Sequence, residues 1–382
     1  MIPKPFALER FFAAHEFSAQ RLLSCSDCDA LGLSEVLTGA DDDVKRLFAD
    51  LQLGYTPSRG LPLLRREIAG LYTGVDVDDV LCVVPQEGIL LGLSALVEPG
   101  MRVVITVPAY QSLVEVVRHR GGIVVPWIAQ EGADAFCFDV DELEVLLRDA
   151  TGLVVVNVPH NPTGALPSPT EWQRIVDLVR RSGARLFCDE MYRGLEHPPA
   201  QLASAVDVDD RALVLCGLSK SLSAPGLRSG WLVSRDPTLM ERLALMKDWT
   251  TLCAAGPAEV LALAVLRRRQ SILAINRACI AQNRAVVDDV VAGDARFGWR
   301  RPRGGSVALL RLLREPSAAA FCERVLRETQ TMVVPGSLFD FGGSAPAPSA
   351  GLPGDHHVRL GLGRASFGDD FRALARQSCL FL

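Results

Sequence analysis

The chain has 382 residues, with 45 acidic and 40 basic side chains, a formal net charge of −5, and 22% charged residues. That length carries two domains with a self-sufficient core, and the charge balance excludes a disordered polyelectrolyte and a basic surface for nucleic acid. The longest nearly pure apolar run, near residues 88–97, is about half of a membrane span, and MIPKPFALER has no basic region followed by an apolar core. A cytoplasmic protein with no membrane partner is therefore expected.

Near the N-terminus, Cys25 and Cys28 form the only close pair among ten cysteines, and no second pair follows at zinc-site spacing. No metal centre is expected, since scattered free cysteine packs as a small hydrophobe. From Val80 to about Val233, short β-branched runs alternate with longer amphipathic segments, as in a parallel sheet joined by crossover helices. Strands are expected at 80–84, 102–107, 122–127, 153–158, 184–189, 212–217 and 230–234, and helices at 87–97, 110–120, 139–149 and 169–182. PSPT opens the last helix with a proline and hydroxyl start signal.

After Arg235 helices are expected at 236–248 and, as one long run, at 257–290. A mixed region then starts at Phe297, with a GGSVALLRLL strand, a helix at 316–329, a short VVP edge and an alternating strand HHVRLGLG at 356–363. The Gly- and Pro-rich stretch at 336–355 reads as a loop, either a flap over a site or a surface connection.

Three polar clusters directly follow apolar strands, the end of an α/β sheet where ligands bind: NPTG at 161–164, DEMY at 189–192 and SKSLSAPGLRSG at 219–230. Asp189 ends the apolar run RLFCD, and a desolvated carboxylate seeks a cation or a proton. Lys220, between Ser219 and Ser221 with no acidic neighbour in sequence, reads as an amine nucleophile rather than half of a surface ion pair. The six histidines form no HExxH arrangement, so no metal hydrolase is expected.

Taken in order, YTPSRG at 55–60, PAY at 108–110, NPTG, DEMY, SK, PGLRSGW at 225–231 and VRLGLG at 358–363 resemble the class I and II aminotransferases, fold-type-I enzymes that use pyridoxal 5′-phosphate. The resemblance implies an α/β fold with a large, mostly parallel seven-stranded sheet flanked by helices, plus a smaller α+β domain. It implies a division into an N-terminal segment at 1–45, a large cofactor-binding domain at 46–275 and a small substrate-gripping domain at 276–382. Lys220 would carry the cofactor on its amine and then move the proton at the substrate Cα, and Asp189 would keep the pyridine nitrogen protonated. Asn161 and Tyr192 match the donors to the phenolic oxygen, and Tyr110 matches the aromatic stacked on the ring. Arg228, Ser219 and the helix start at Pro85 and Gln86 would hold the phosphate, with Tyr55 reaching the neighbouring site of a homodimer. Arg359, together with Asn161, would grip the substrate α-carboxylate.

The phosphate turn departs from that pattern. VPQEG stands at 84–88, and Gly217 occupies the position two before Ser219, which is often serine. Glu87 is expected to point away from the phosphate. The expected reaction moves an amino group from an amino acid to a 2-oxo acid. The enzyme alternative is a lyase or cyclase tailoring an unusual amino acid in specialised metabolism, because LLSCSDCDALGLSEV and KDWTTLCAAGPAE more loosely resemble a cyclising branch of the fold. A regulator that only senses the cofactor is the non-enzymatic alternative, disfavoured by the absence of room for an N-terminal DNA-binding domain. Trp127, Phe17 and the residues around Cys25 are read either as an apolar substrate pocket or as core.

Overall fold

The computed structural model describes residues 4–198, 202–340 and 353–377. Seven apolar runs form the main sheet: β1 (Val80–Val83), β2 (Arg102–Val107), β3 (Ile123–Ile128), β4 (Leu153–Asn157), β5 (Arg185–Asp189), β6 (Leu213–Gly217) and β7 (Gly230–Val233). Their order across the sheet is β1-β7-β6-β5-β4-β2-β3, with β7 antiparallel to both neighbours and the pairs β6-β5-β4-β2-β3 parallel. Side chains buried on both faces along β4, β5 and β6 explain why these strands read as continuous apolar runs.

Register fixes the site. Asn157 pairs with Asp189 at the carboxyl ends of β4 and β5, and Asp189 pairs with Leu215 on β6. The crossover helix Pro169–Ser182 starts where the start signal placed it: Ser168 Oγ accepts from the Glu171 amide at 3.2 Å and Glu171 answers the Ser168 amide at 2.7 Å.

The long helix expected at 257–290 is two helices, Gly256–Arg267 and Arg269–Gly293, separated at Arg268. The break sends consecutive guanidiniums to different anchors. Arg267 pairs with Asp41 at 2.7 Å and Glu67 at 3.1 Å, whereas Arg268 donates to the Glu35 carbonyl at 2.9 Å. Those anchors lie in or beside the N-terminal helices Leu33–Gly39, Asp42–Ala49 and Pro62–Ala69.

The smaller sheet contains β8 (Phe297–Trp299), β9 (Val307–Leu312), β10 (Val334–Pro335) and β11 (His357–Gly361), in the order β8-β9-β11-β10. Residues 341–352 of the expected loop lie outside the described residues; its start, Gly336–Phe339, is a packed turn whose Phe339 is fully buried. The N-terminal segment is stitched to this sheet. Arg21–Leu22 pairs in parallel with Thr331–Met332, and the Gly361 amide donates to the Leu23 carbonyl at 2.8 Å. A Cβ at Gly361 would overlap the Cys25 carbonyl oxygen, which is backbone and cannot swing aside. Gly361→Ala is therefore expected to cost about 1–3 kcal/mol, read as a lowered urea midpoint; an unchanged midpoint would show that this strap is not held as described.

Candidate active site

At the end of β5 the Asp189 carboxylate is buried and accepts a hydrogen bond from the Met191 amide at 3.1 Å. Burial pushes its pKa up to about 7; the Met191 N–H opposes the rise, and Glu190 adds to it. Such a carboxylate calls for a cation or a proton at its free oxygen. Asn157, not singled out by sequence reasoning, ties the floor together. Its amide donates to the Asp189 carbonyl at 2.9 Å, and its Oδ1 accepts from the Asn161 amide at 2.7 Å. Asn161 is thereby held beside the sheet, and its own Oδ1 accepts from Arg359 Nη1 at 3.2 Å.

Arg359 projects from β11 and is 1% exposed. Its Nη2 donates to the Ser24 carbonyl at 2.6 Å, the Ser24 hydroxyl donates back to the Arg359 carbonyl, and its guanidinium carbon lies 4.9 Å from the Phe339 ring and 5.8 Å from the Phe12 ring. These contacts fix the plane of the fork, yet among the described residues Nε has no partner. Lys220 Nζ donates to Ser26 Oγ at 2.8 Å. Desolvation lowers the Lys220 pKa and the nearby Arg359 charge lowers it further, against the pull of Asp27. Both effects favour the neutral, nucleophilic amine. The Tyr192 hydroxyl is buried without a hydrogen bond of full geometry, and burial pushes its pKa up, so it stays a donor.

Ser219 Oγ is likewise buried and unpartnered. Arg228 stands across from it at the exposed mouth, with a left-handed φ of 50° and its Nη1 donating to the Pro225 carbonyl at 2.8 Å. A non-glycine residue there costs about 1–2 kcal/mol, and the Arg228 side chain lines the cavity. Glu87 turns away, as expected: one oxygen accepts from the Val84 amide at 3.1 Å and the other from the Thr251 hydroxyl at 2.8 Å. The departure at Gly217 has a packing cause. Gly217 faces Gly230 across β6 and β7, where a Cβ would come within 3.0 Å of Gly230 Cα, while a Cβ on Gly230 would meet the Pro85 ring at 2.9 Å. Pro85, Gly217 and Gly230 therefore form one close-packed corner, in which a side chain at 217 would crowd the Gly230 backbone.

These groups open into one cavity of about 360 Å³, whose wall includes Pro85, Gln86, Tyr110, Asn161, Asp189, Tyr192, Ser219, Lys220, Arg228 and Arg359. Every site residue expected from the sequence is thus brought together except Tyr55, which lies elsewhere on the surface, 92% exposed. Phe17 is also exposed rather than lining the cavity. Trp127 is core, its Nε1 donating to the Asp139 carbonyl at 2.9 Å, and Cys25 does line the wall.

The fourth wall comes from the N-terminal segment, in which sequence reading had singled out Phe17 and the residues around Cys25 but not the helix before them. Helix α1 (Ala7–His15) supplies Leu8, Glu9 and Phe12, followed by Glu16, and the segment after it supplies Ser26 and Asp27. Gln111 clamps α1 to the sheet: its Oε1 accepts from the Ala7 amide at 2.8 Å and its Nε2 donates to the Pro5 carbonyl at 2.9 Å. Tyr110 donates to Glu9 at 2.9 Å, which orients its ring along the cavity.

The donor set fits pyridoxal phosphate on the structure's own terms. An amine, a buried carboxylate wanting a cation, the buried Ser219 and Tyr192 hydroxyls and an arginine at the mouth converge on one space of suitable size. Comparison with known proteins agrees. The "Aminotransferase class I and II" family matches residues 36–351. Capreomycidine synthase of Streptomyces vinaceus is 34% identical over 253 residues, a match spanning 64% of this chain and 64% of that protein. Among solved structures, a PLP-dependent aminotransferase from Streptococcus suis superposes with a TM-score of 0.88 at 27% identity, covering 100% of this chain and 98% of that one. The PLP-dependent cyclase OrfR superposes at 0.84 with 26% identity, covering 99% and 98%. With its sheet order, its cavity and these matches in agreement, the chain belongs to the class I and II aminotransferase family, of the fold-type-I enzymes that depend on pyridoxal phosphate.

Proposed function

We propose that the enzyme transfers an amino group from an amino acid to a 2-oxo acid. The observation that carries this reading is the convergence of the Lys220 amine, the Asp189 carboxylate and the Arg359 guanidinium on one cavity. When bound, pyridoxal phosphate supplies an electron sink for the pair left at the substrate Cα. Asp189 holds a proton or a cation at the ring-nitrogen end. Asn161 and Tyr192 donate hydrogen bonds at the phenolic-oxygen side, and Tyr110 covers one ring face. Ser219, Arg228 and the helix start at Pro85 and Gln86 bind the phosphate. Lys220 would take the proton from the substrate Cα and deliver it to C4′ of the cofactor, two atoms further along, a task suited to an amine whose pKa is lowered. Arg359 fixes the α-carboxylate so that the Cα–H bond faces Lys220. Tyr55 completes the neighbouring site in a two-fold homodimer.

A second reading, a lyase or cyclase acting on an unusual amino acid, is supported by the similarity to capreomycidine synthase and to the cyclase OrfR. Mass spectrometry of the products separates the two. Amino exchange with a labelled 2-oxo acid supports transfer; a mass-neutral product, or one lighter by water, from a single substrate contradicts it. For either reaction Arg359→Lys is expected to raise the amino-acid KM by about 10- to 100-fold, because lysine keeps the charge and loses the fork. An unchanged KM would remove Arg359 from substrate recognition.

A further inference from the structure

The proposed function accounts for four of the charges in the cavity wall: Asp189, Lys220, Arg228 and Arg359. Three carboxylates remain, those of Glu9, Glu16 and Asp27. Asp27 is compensated by Arg364 at 3.2 Å. Glu9 accepts only from the neutral Tyr110 hydroxyl, and the Glu16 carboxylate makes no hydrogen bond or ion pair among the described residues. Two carboxylates with no ion pair among the described residues therefore face a cavity that also has to admit an amino acid.

Their placement is set by α1. Glu9 and Glu16 are seven residues apart, two helical turns, so they share a face about 10 Å long, and Glu16 keeps helical dihedrals as the residue closing the helix. Phe12 lies between them on the same face, with its ring beside Arg359. Glu16 is half-buried, and desolvation raises its pKa; Asp27 adds to the rise while Arg364 and Lys220 oppose it. A carboxylate held away from water without a cation is a cost that a positively charged ligand removes. The cluster does not stand alone. Arg359, 1% exposed, lines the same cavity with an Nε that has no partner among the described residues, so a polar ligand spans from the carboxylate clamp to α1.

We propose that Glu16, supported by Glu9 on the same helix face, selects the substrate, an α-amino acid whose side chain ends in a cation, ammonium or guanidinium. This inference rests on the amino-acid site of the proposed function. It runs opposite to a dicarboxylate preference, since a second substrate carboxylate would face like charges on α1 instead of an arginine. Glu16→Gln keeps the shape and removes the charge.

The test titrates the cofactor-loaded enzyme with arginine, lysine, norleucine and glutamate, following the cofactor absorbance and the thermal midpoint. Arginine or lysine is expected to bind at least about 10-fold more tightly than norleucine, with glutamate weakest. Glu16→Gln is expected to weaken the cationic ligands by about 10- to 100-fold, the worth of a charge-assisted contact, and to change norleucine less than about 2-fold. Glu9→Gln is expected to shift the same preference by a smaller factor, which provides a second variant should the first lose its fold. Norleucine or glutamate binding as well as the cations overturns the inference while leaving the amino-acid site standing, as does a preference that survives Glu16→Gln. Failure of all four to bind overturns the amino-acid site itself and, with it, the inference that rests on it.

Discussion

Lys220→Ala should leave a folded protein that has lost turnover by roughly four orders of magnitude, the upper range for removing a positioned proton-transfer group that is also a nucleophile. The amine is supported rather than merely present. Ser26 holds Nζ at 2.8 Å from the far side of the cavity, and burial together with Arg359 lowers its pKa. Alanine removes all of this and disturbs little else, because the side chain extends into open space. Single-turnover rates, with circular dichroism confirming the fold, are the measurement. A variant retaining a tenth of wild-type turnover would place the proton transfer on another group.

Asp189→Asn should lower turnover by about 10²- to 10³-fold, the usual cost of deleting one preorganised electrostatic partner. It should also change how stability depends on pH, with a definite sign. In the cofactor-free protein, burial raises the Asp189 pKa from 3.8 to about 7. The folded state then holds a proton that the unfolded chain has released, so the stabilisation is full below about pH 4 and is lost as pH rises through about 7. Asparagine has no such proton, and its amide oxygen still accepts from Met191. Relative to wild type, the cofactor-free variant should match at pH 4 and gain about 1–4 kcal/mol at pH 8, measured by urea unfolding at both pH values. Equal stability at pH 8 would mean that the Asp189 charge is already paired within the protein.

The strands and the polar clusters at their ends were legible because both signals are local. Runs such as LVVVN and RLFCD are largely apolar and short, which suits a sheet covered on both faces. Residues that depend on register or distant pairing were not legible. Asn157 matters only because β4 sets it opposite Asp189, and Ser26 matters only because the chain returns 194 residues later with Lys220. The α1 wall shows the same limit: Glu9 and Glu16 acquire a shared face only once residues 7–15 are known to be helical, and the clamp from Gln111 that holds them comes from over 100 residues away. The break at Arg268 has neither proline nor glycine to announce it, and the three successive arginines there take partners in different places. At Gly217 the departure from the family pattern was visible, but its cause, a close approach to Gly230 and Pro85, required coordinates.

Borohydride reduction of the cofactor-saturated enzyme, followed by peptide mass mapping, asks the most direct question of the site. The geometry predicts one pyridoxyl group per chain, on Lys220 alone. Stoichiometric label on any other lysine, with Lys220 unmodified, would contradict it.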